Sequence, residues 1–169
     1  MHYQSLNRAA LGAALAILIA AGDASAQSKE EMCTAIKTVL AETSNHYLRF
    51  RGSYDSVYDS YVGTYSIPPL TECMMSAKDE SSIYKCSRRL GDDETAAKNM
   101  LIETAATINR CFGNDIKQTS FRKDASYLWF RHVITGESLR LKYQRIVPRY
   151  TNKEPFYLFS LEVSFREPD

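Results

Sequence analysis

Four cysteines, Cys33, Cys73, Cys86 and Cys111, stand downstream of an apolar N-terminal run, and no other feature limits the possible folds as much. Each disulfide would hold two segments within about 7 Å of each other at Cα, so two bridges select among all the ways the elements can pack. The compartment decides whether they form. Arg8 precedes the uncharged run from Ala9 to Ala21, and Ala24-Ser25-Ala26 offers small residues at the cleavage positions of a bacterial signal peptide. Cleavage is expected after Ala26, with residues 1–26 removed and residues 27–169 forming a single domain. An even number of cysteines in an exported chain reads as a disulfide framework.

The apolar run is too short for the ~20 residues that span a ~30 Å hydrocarbon core, and none as long follows it. The first cysteine comes only after the charged Lys29-Glu30-Glu31, which argues against lipidation. A periplasmic or secreted protein without a membrane span is expected, the periplasm being preferred. The net charge is +1, and the leader holds one charge of each sign, Arg8 and Asp23, so its removal changes nothing. A near-neutral balance speaks against nucleic acid, whose phosphates are met by clustered lysine and arginine.

Helical periodicity is clear in two places. Met32, Ile36, Val39, Leu40, Thr43 and Tyr47 predict a helix over 29–46, opened by Ser28-x-x-Glu31 as a capping box. Ala97, Met100, Leu101, Thr104, Ala105, Ile108, Cys111 and Phe112 predict a second, with Gly91-Asp92-Asp93-Glu94 at its start and Gly113-Asn114 at its end. Tyr54, Tyr58, Tyr61 and Tyr65 fall on one helical face, so a short helix is expected over 54–65 although Tyr, Val and Thr favour strands.

Strands are expected at 71–77 and 82–88 around a turn at Asp79-Glu80, which sets Cys73 opposite Cys86. Cys33, at the start of the first helix, is left to join Cys111, at the end of the second, if the helices pack antiparallel. Further on, Leu128, Phe130, His132 and Ile134 alternate inward. A two-residue Gly136-Glu137 turn then leads back through Leu139, Leu141 and Tyr143, and Tyr157 to Phe165 form a last strand. That register opposes His132 to Leu141, Arg131 to Lys142 and Val133 to Arg140. The fold class expected is α+β in two layers. Two or three helices pack on one face of a mostly antiparallel sheet of about five strands, with two disulfides.

Signals for chemistry are few. There is no G-x-S-x-G, H-E-x-x-H, G-x-x-x-x-G-K-[ST] or G-x-G-x-x-G, and neither a C-x-x-C nor an H-x-x-x-H for a metal. No cofactor and no metal are expected. A cysteine in a disulfide has no thiolate to offer. His46 reads as a helix-end cation and His132 as a core histidine, His132 being the single weak catalytic candidate. Asp92, Asp93 and Glu94 suit a helix start, and Asp55 with Asp59 read as solvated acids. The outward side of the terminal hairpin carries Trp129, Arg131, Val133, Arg140, Lys142 and Gln144. Trp and Arg are enriched at binding hot spots, so this is the candidate partner face, with Glu162 as the acid that separates like charges. Solvated cations lying over the Trp ring are the plainer account. The tyrosine cluster from Tyr47 to Tyr65 reads as a half-buried layer or as a surface for an aromatic or glycan ligand. The leading expectation is an exported binding module for an envelope protein or an anionic ligand. A small periplasmic hydrolase built on His132 and a structural envelope component are the alternatives.

Overall fold

The computed structural model describes residues 27–78, 81–121, 126–134, 136–148 and 153–166. The expected leader at 1–26, with its cleavage site, and the expected turn at Asp79-Glu80 lie outside the described residues. Helix α1 covers 27–41, with Met32, Ala35, Ile36 and Val39 buried along one side. It is followed by four strands, β1 (Arg51–Asp55), β2 (Ser60–Gly63), β3 (Glu72–Lys78) and β4 (Ser81–Arg89). Helix α2 (Glu94–Phe112) and four more strands come next: β5 (Ile116–Phe121), β6 (Tyr127–His132), β7 (Ser138–Ile146) and β8 (Phe156–Arg166). All pairings are antiparallel and the sheet order is β1-β2-β3-β4-β8-β7-β6-β5. Helix-then-four-strands thus occurs twice, and the last strand of each half meets the other at the centre. This repeat is one of topology, since the two halves share no visible sequence pattern.

The sheet corrects the expected five strands to eight, because three were missed. The stretch 54–65, expected as a helix, is the β1–β2 hairpin. Tyr54 faces Tyr61 across it, with ring centroids 5.3 Å apart. Tyr and Val suit a pleated surface, and pairing with β3 decides for strand where helical spacing was ambiguous. The third is β5, next to the helix end, where Ile116 is buried and Lys117, Gln118 and Thr119 are exposed. The first helix also ends sooner than expected. At residue 41 it gives way to the 3-10 turn Thr43–Asn45, and His46 and Tyr47 adopt left-handed φ of 53° and 58°. Ser28 lies inside the helix, so it is no cap.

Both disulfides join the expected partners. Cys73 and Cys86 are directly opposed in the β3–β4 ladder, with Cα atoms 4.1 Å apart. Cys33 and Cys111 tie α1 to α2 at a Cα distance of 5.6 Å. The core lies between the helices and the facing side of the sheet. Across the central strands Cys86, Leu161, Leu141 and Leu128 form one buried row, and Tyr84, Val163, Leu139 and Phe130 the next. Helix α2 buries Ala97, Leu101, Thr104, Ala105 and Ile108 onto them, and Asp93 caps it by accepting the Ala96 N–H at 2.9 Å.

Candidate interaction face

The helices cover one side of the sheet. Alternation sends every second residue of each strand to the other side. Three lines of paired residues cross this open side. The central one runs Val62, Met74, Lys85, Glu162, Arg140, Trp129 from β2 to β6. Beside it lie Ile83, Ser164, Ser138, Arg131 and Lys117, and on its other flank Ser87, Ser160, Lys142 and Tyr127. Serines make a low floor at the centre, with Ser87 and Ser160 buried between longer neighbours. The Ser138 and Ser164 hydroxyls hydrogen-bond at 2.8 Å.

Charge across this face is uneven. Glu162, itself buried, accepts from the Arg140 Nε at 2.8 Å and from its Nη2, and the Lys85 ammonium lies 3.5 Å away. One carboxylate therefore serves two cations. Arg131 lies directly opposite Lys117, and no carboxylate among the described residues is within ion-pair distance of either, or of Lys142. Like charges facing each other across a ladder are unfavourable unless an anion sits between them. Trp129, the only tryptophan in the chain, stands among them, 41% exposed.

The hairpin register behind this arrangement differs from the expected one. Strand β6 ends at His132 and β7 begins at Ser138, so the link is longer than a two-residue turn. Arg131 pairs with Ser138, Trp129 with Arg140 and Tyr127 with Lys142. In the link the Glu137 side chain turns inward, where Oε1 accepts from the Thr43 hydroxyl at 2.9 Å, and Gly136 takes a left-handed φ of 80°. The link is closed by the His132 N–H donating to the Glu137 carbonyl and the Val133 N–H to the Asp115 carbonyl, both at 2.8 Å. The shift is an even number of residues, so Trp129, Arg131, Arg140 and Lys142 stay on one face and Glu162 separates Arg140 from Lys85. Lys117 escaped the sequence reading because β5 did. Ile116 is buried and Lys117, Gln118 and Thr119 are all exposed, so β5 shows no alternation that would mark it in the sequence.

The histidines are placed apart. His132 is half-buried on the helix side, opposite Ile116 and not Leu141, with its ring edge-on to Phe112 at 6.1 Å. Val133 and Ile134, expected in the strand, are exposed in the link. His46 lies beyond the helix it was expected to end, and its Nδ1 is 2.7 Å from the Ser82 hydroxyl. Two clefts flank α1. One of about 600 Å³ is bordered by Glu30, Glu31, Tyr65 and Pro68, and one of about 150 Å³ by Lys29, Met100 and Glu103. Neither is lined by a histidine.

The tyrosine cluster divides. Tyr47 is fully buried, donates to the Val163 carbonyl at 3.0 Å, and burial pushes its hydroxyl pKa well up. Tyr65 stacks on Phe50 at 4.8 Å, while Tyr54 and Tyr58 are exposed. Among the described residues no helix is long and apolar enough to cross a membrane, and no group of three or more metal-ligating side chains forms. Comparison with known proteins gives no match, whether to a family model, to a curated protein or to a solved structure.

Proposed function

We propose that the chain is an exported binding module of the bacterial envelope, without catalysis, that holds an acidic protein partner on the open side of its sheet. The observation that carries this reading is Arg131 opposite Lys117, next to Trp129, with Lys142 close by and no described carboxylate to neutralise them. An acidic surface supplies the missing charge, and the indole supplies apolar area where a hot spot is wanted. Glu162 keeps Arg140 and Lys85 in place, so the cations meet the partner partly pre-ordered. Export is supported by the leader-like N-terminus and by the two disulfides, which persist in oxidising compartments.

The test uses the tagged full chain, exported in its host, to capture partners from the envelope fraction. Arg131→Glu with Lys142→Glu should abolish capture of an acidic protein, while Arg110→Glu on exposed α2 surface should not. Binding of the purified partner should quench or shift Trp129 fluorescence and weaken steeply with salt. Capture that survives the charge reversal, or that is indifferent to salt, overturns the reading.

A further inference from the structure

A second exposed feature lies at the far edge of the sheet from the basic face. Residues 56–59 join β1 to β2, and Val57 is 83% and Tyr58 69% exposed, with Tyr54 exposed beside them. Apolar side chains this open contribute nothing to the core. The turn is nevertheless held. Asp55 Oδ1 accepts the Val57 N–H at 2.9 Å, and Asp59 Oδ1 accepts the Tyr54 hydroxyl at 2.7 Å. Asp59 adopts a left-handed φ of 48°, and the Arg51 guanidinium lies over the Tyr61 ring, 4.6 Å from its centroid.

From Tyr54 to Tyr61 the only charged residues are Asp55 and Asp59, so the tip carries two negative charges on a chain whose net charge is +1. Both outer strands are broken by a register shift, β1 between Arg51 and Tyr54 and β5 between Gln118 and Ser120. Such bulges discourage another strand from adding to an edge. Contact at this end therefore goes through side chains. A convex, apolar, anionic projection complements a concave, apolar, cationic site.

We propose that the β1–β2 tip is a preorganised anchor that inserts Val57 and Tyr58 into an apolar pocket ringed by lysine or arginine on a folded partner protein. The inference is independent of the basic face, which takes the opposite charge. A few side chains bury far less than the ~800 Å² per partner of a standard interface, so the tip is one hot spot of a larger contact or a weak contact alone.

The test places a photo-crosslinking phenylalanine analogue at Val57 in the full exported chain, with the same residue at exposed Ile102 on α2 as control. A defined protein that crosslinks from position 57 and not from 102 is then purified. Its affinity should fall about tenfold or more with Tyr58→Ala and fall further with added salt. Circular dichroism of Tyr58→Ala should match the native chain. Absence of a position-specific crosslink, or a crosslinked product of two copies of this chain, overturns the proposal. So does cosedimentation with phosphatidylglycerol vesicles or peptidoglycan that Tyr58→Ala abolishes. Retention of that partner by Arg131→Glu with Lys142→Glu separates this contact from the one on the basic face.

Discussion

Gly63 shows how a residue's meaning changes between chain and fold. In the sequence it merely weakens a helix; in the sheet it makes room for Tyr84. A Cβ built on Gly63 would lie 2.6 Å from the Tyr84 hydroxyl and 2.9 Å from the Cys73 Cβ. That hydroxyl donates to the Tyr65 carbonyl and accepts the Tyr65 N–H at 3.2 Å, so it cannot retreat without losing both bonds. Gly63→Ala should therefore lower stability by about 1–3 kcal/mol, the usual cost of overpacking, measured as a shift in the urea midpoint at unchanged slope. An unshifted midpoint would mean that Tyr84 can move. Glu162 was legible as an acid on the right face, since strand alternation alone puts it there. Its second cation was not, because Lys85 comes from the other half of the chain. Lys117 was invisible for a related reason: a short strand with one buried apolar residue leaves little periodic signal.

At the scale of elements, α2 was the most readable, its start marked by acids and its end by Gly113. Local chemistry still acts there. Lys98, first through its hydrogen bond and then through its charge, holds the Glu94 carboxyl below the usual carboxylate range, and Glu94 in turn raises the Lys98 ammonium. A carboxyl whose folded pKa is depressed stabilises the fold above its unfolded pKa, and this contribution is lost as the pH falls through the folded pKa. The raised lysine contributes below its unfolded pKa and loses its share as the pH rises through the folded one. Glu94→Gln should thus lower the thermal midpoint at neutral pH, and the difference from the native chain should vanish by about pH 2. A difference that persists in acid would assign the effect to side-chain packing. The β1–β2 hairpin was the least readable element. Four tyrosines at helical spacing also fit a hairpin, with Tyr54 and Tyr61 in its strands and Tyr58 in its turn, and only the ladder to β3 separates the alternatives.

The whole molecule is two helix-and-four-strand halves joined along β4 and β8 and bridged by Cys33–Cys111. The two disulfides therefore do different work. Cys73–Cys86 closes a loop within one half, with a sequence separation of 13; Cys33–Cys111 links the halves across a separation of 78. In the chain-entropy model the short loop is worth about 3 kcal/mol and the long one about 4 to 5 kcal/mol. Replacing Cys33 and Cys111 by alanine should thus cost more in denaturant than replacing Cys73 and Cys86, and the reverse order would reject the entropic account here. By itself the sequence determined the two apolar helix stripes, the alternation that sorts Trp129, Arg131, Arg140 and Lys142 onto one face, and the cysteine partners. Each of these follows from a local period or from elimination among four residues. Only the tertiary structure decided the number of strands, the register of the β6–β7 hairpin and the meeting of Lys117 with Arg131. Strand pairing is a contact between segments distant in the chain, and this register goes with backbone bonds that no local period announces, the His132 N–H to the Glu137 carbonyl and the Val133 N–H to the Asp115 carbonyl.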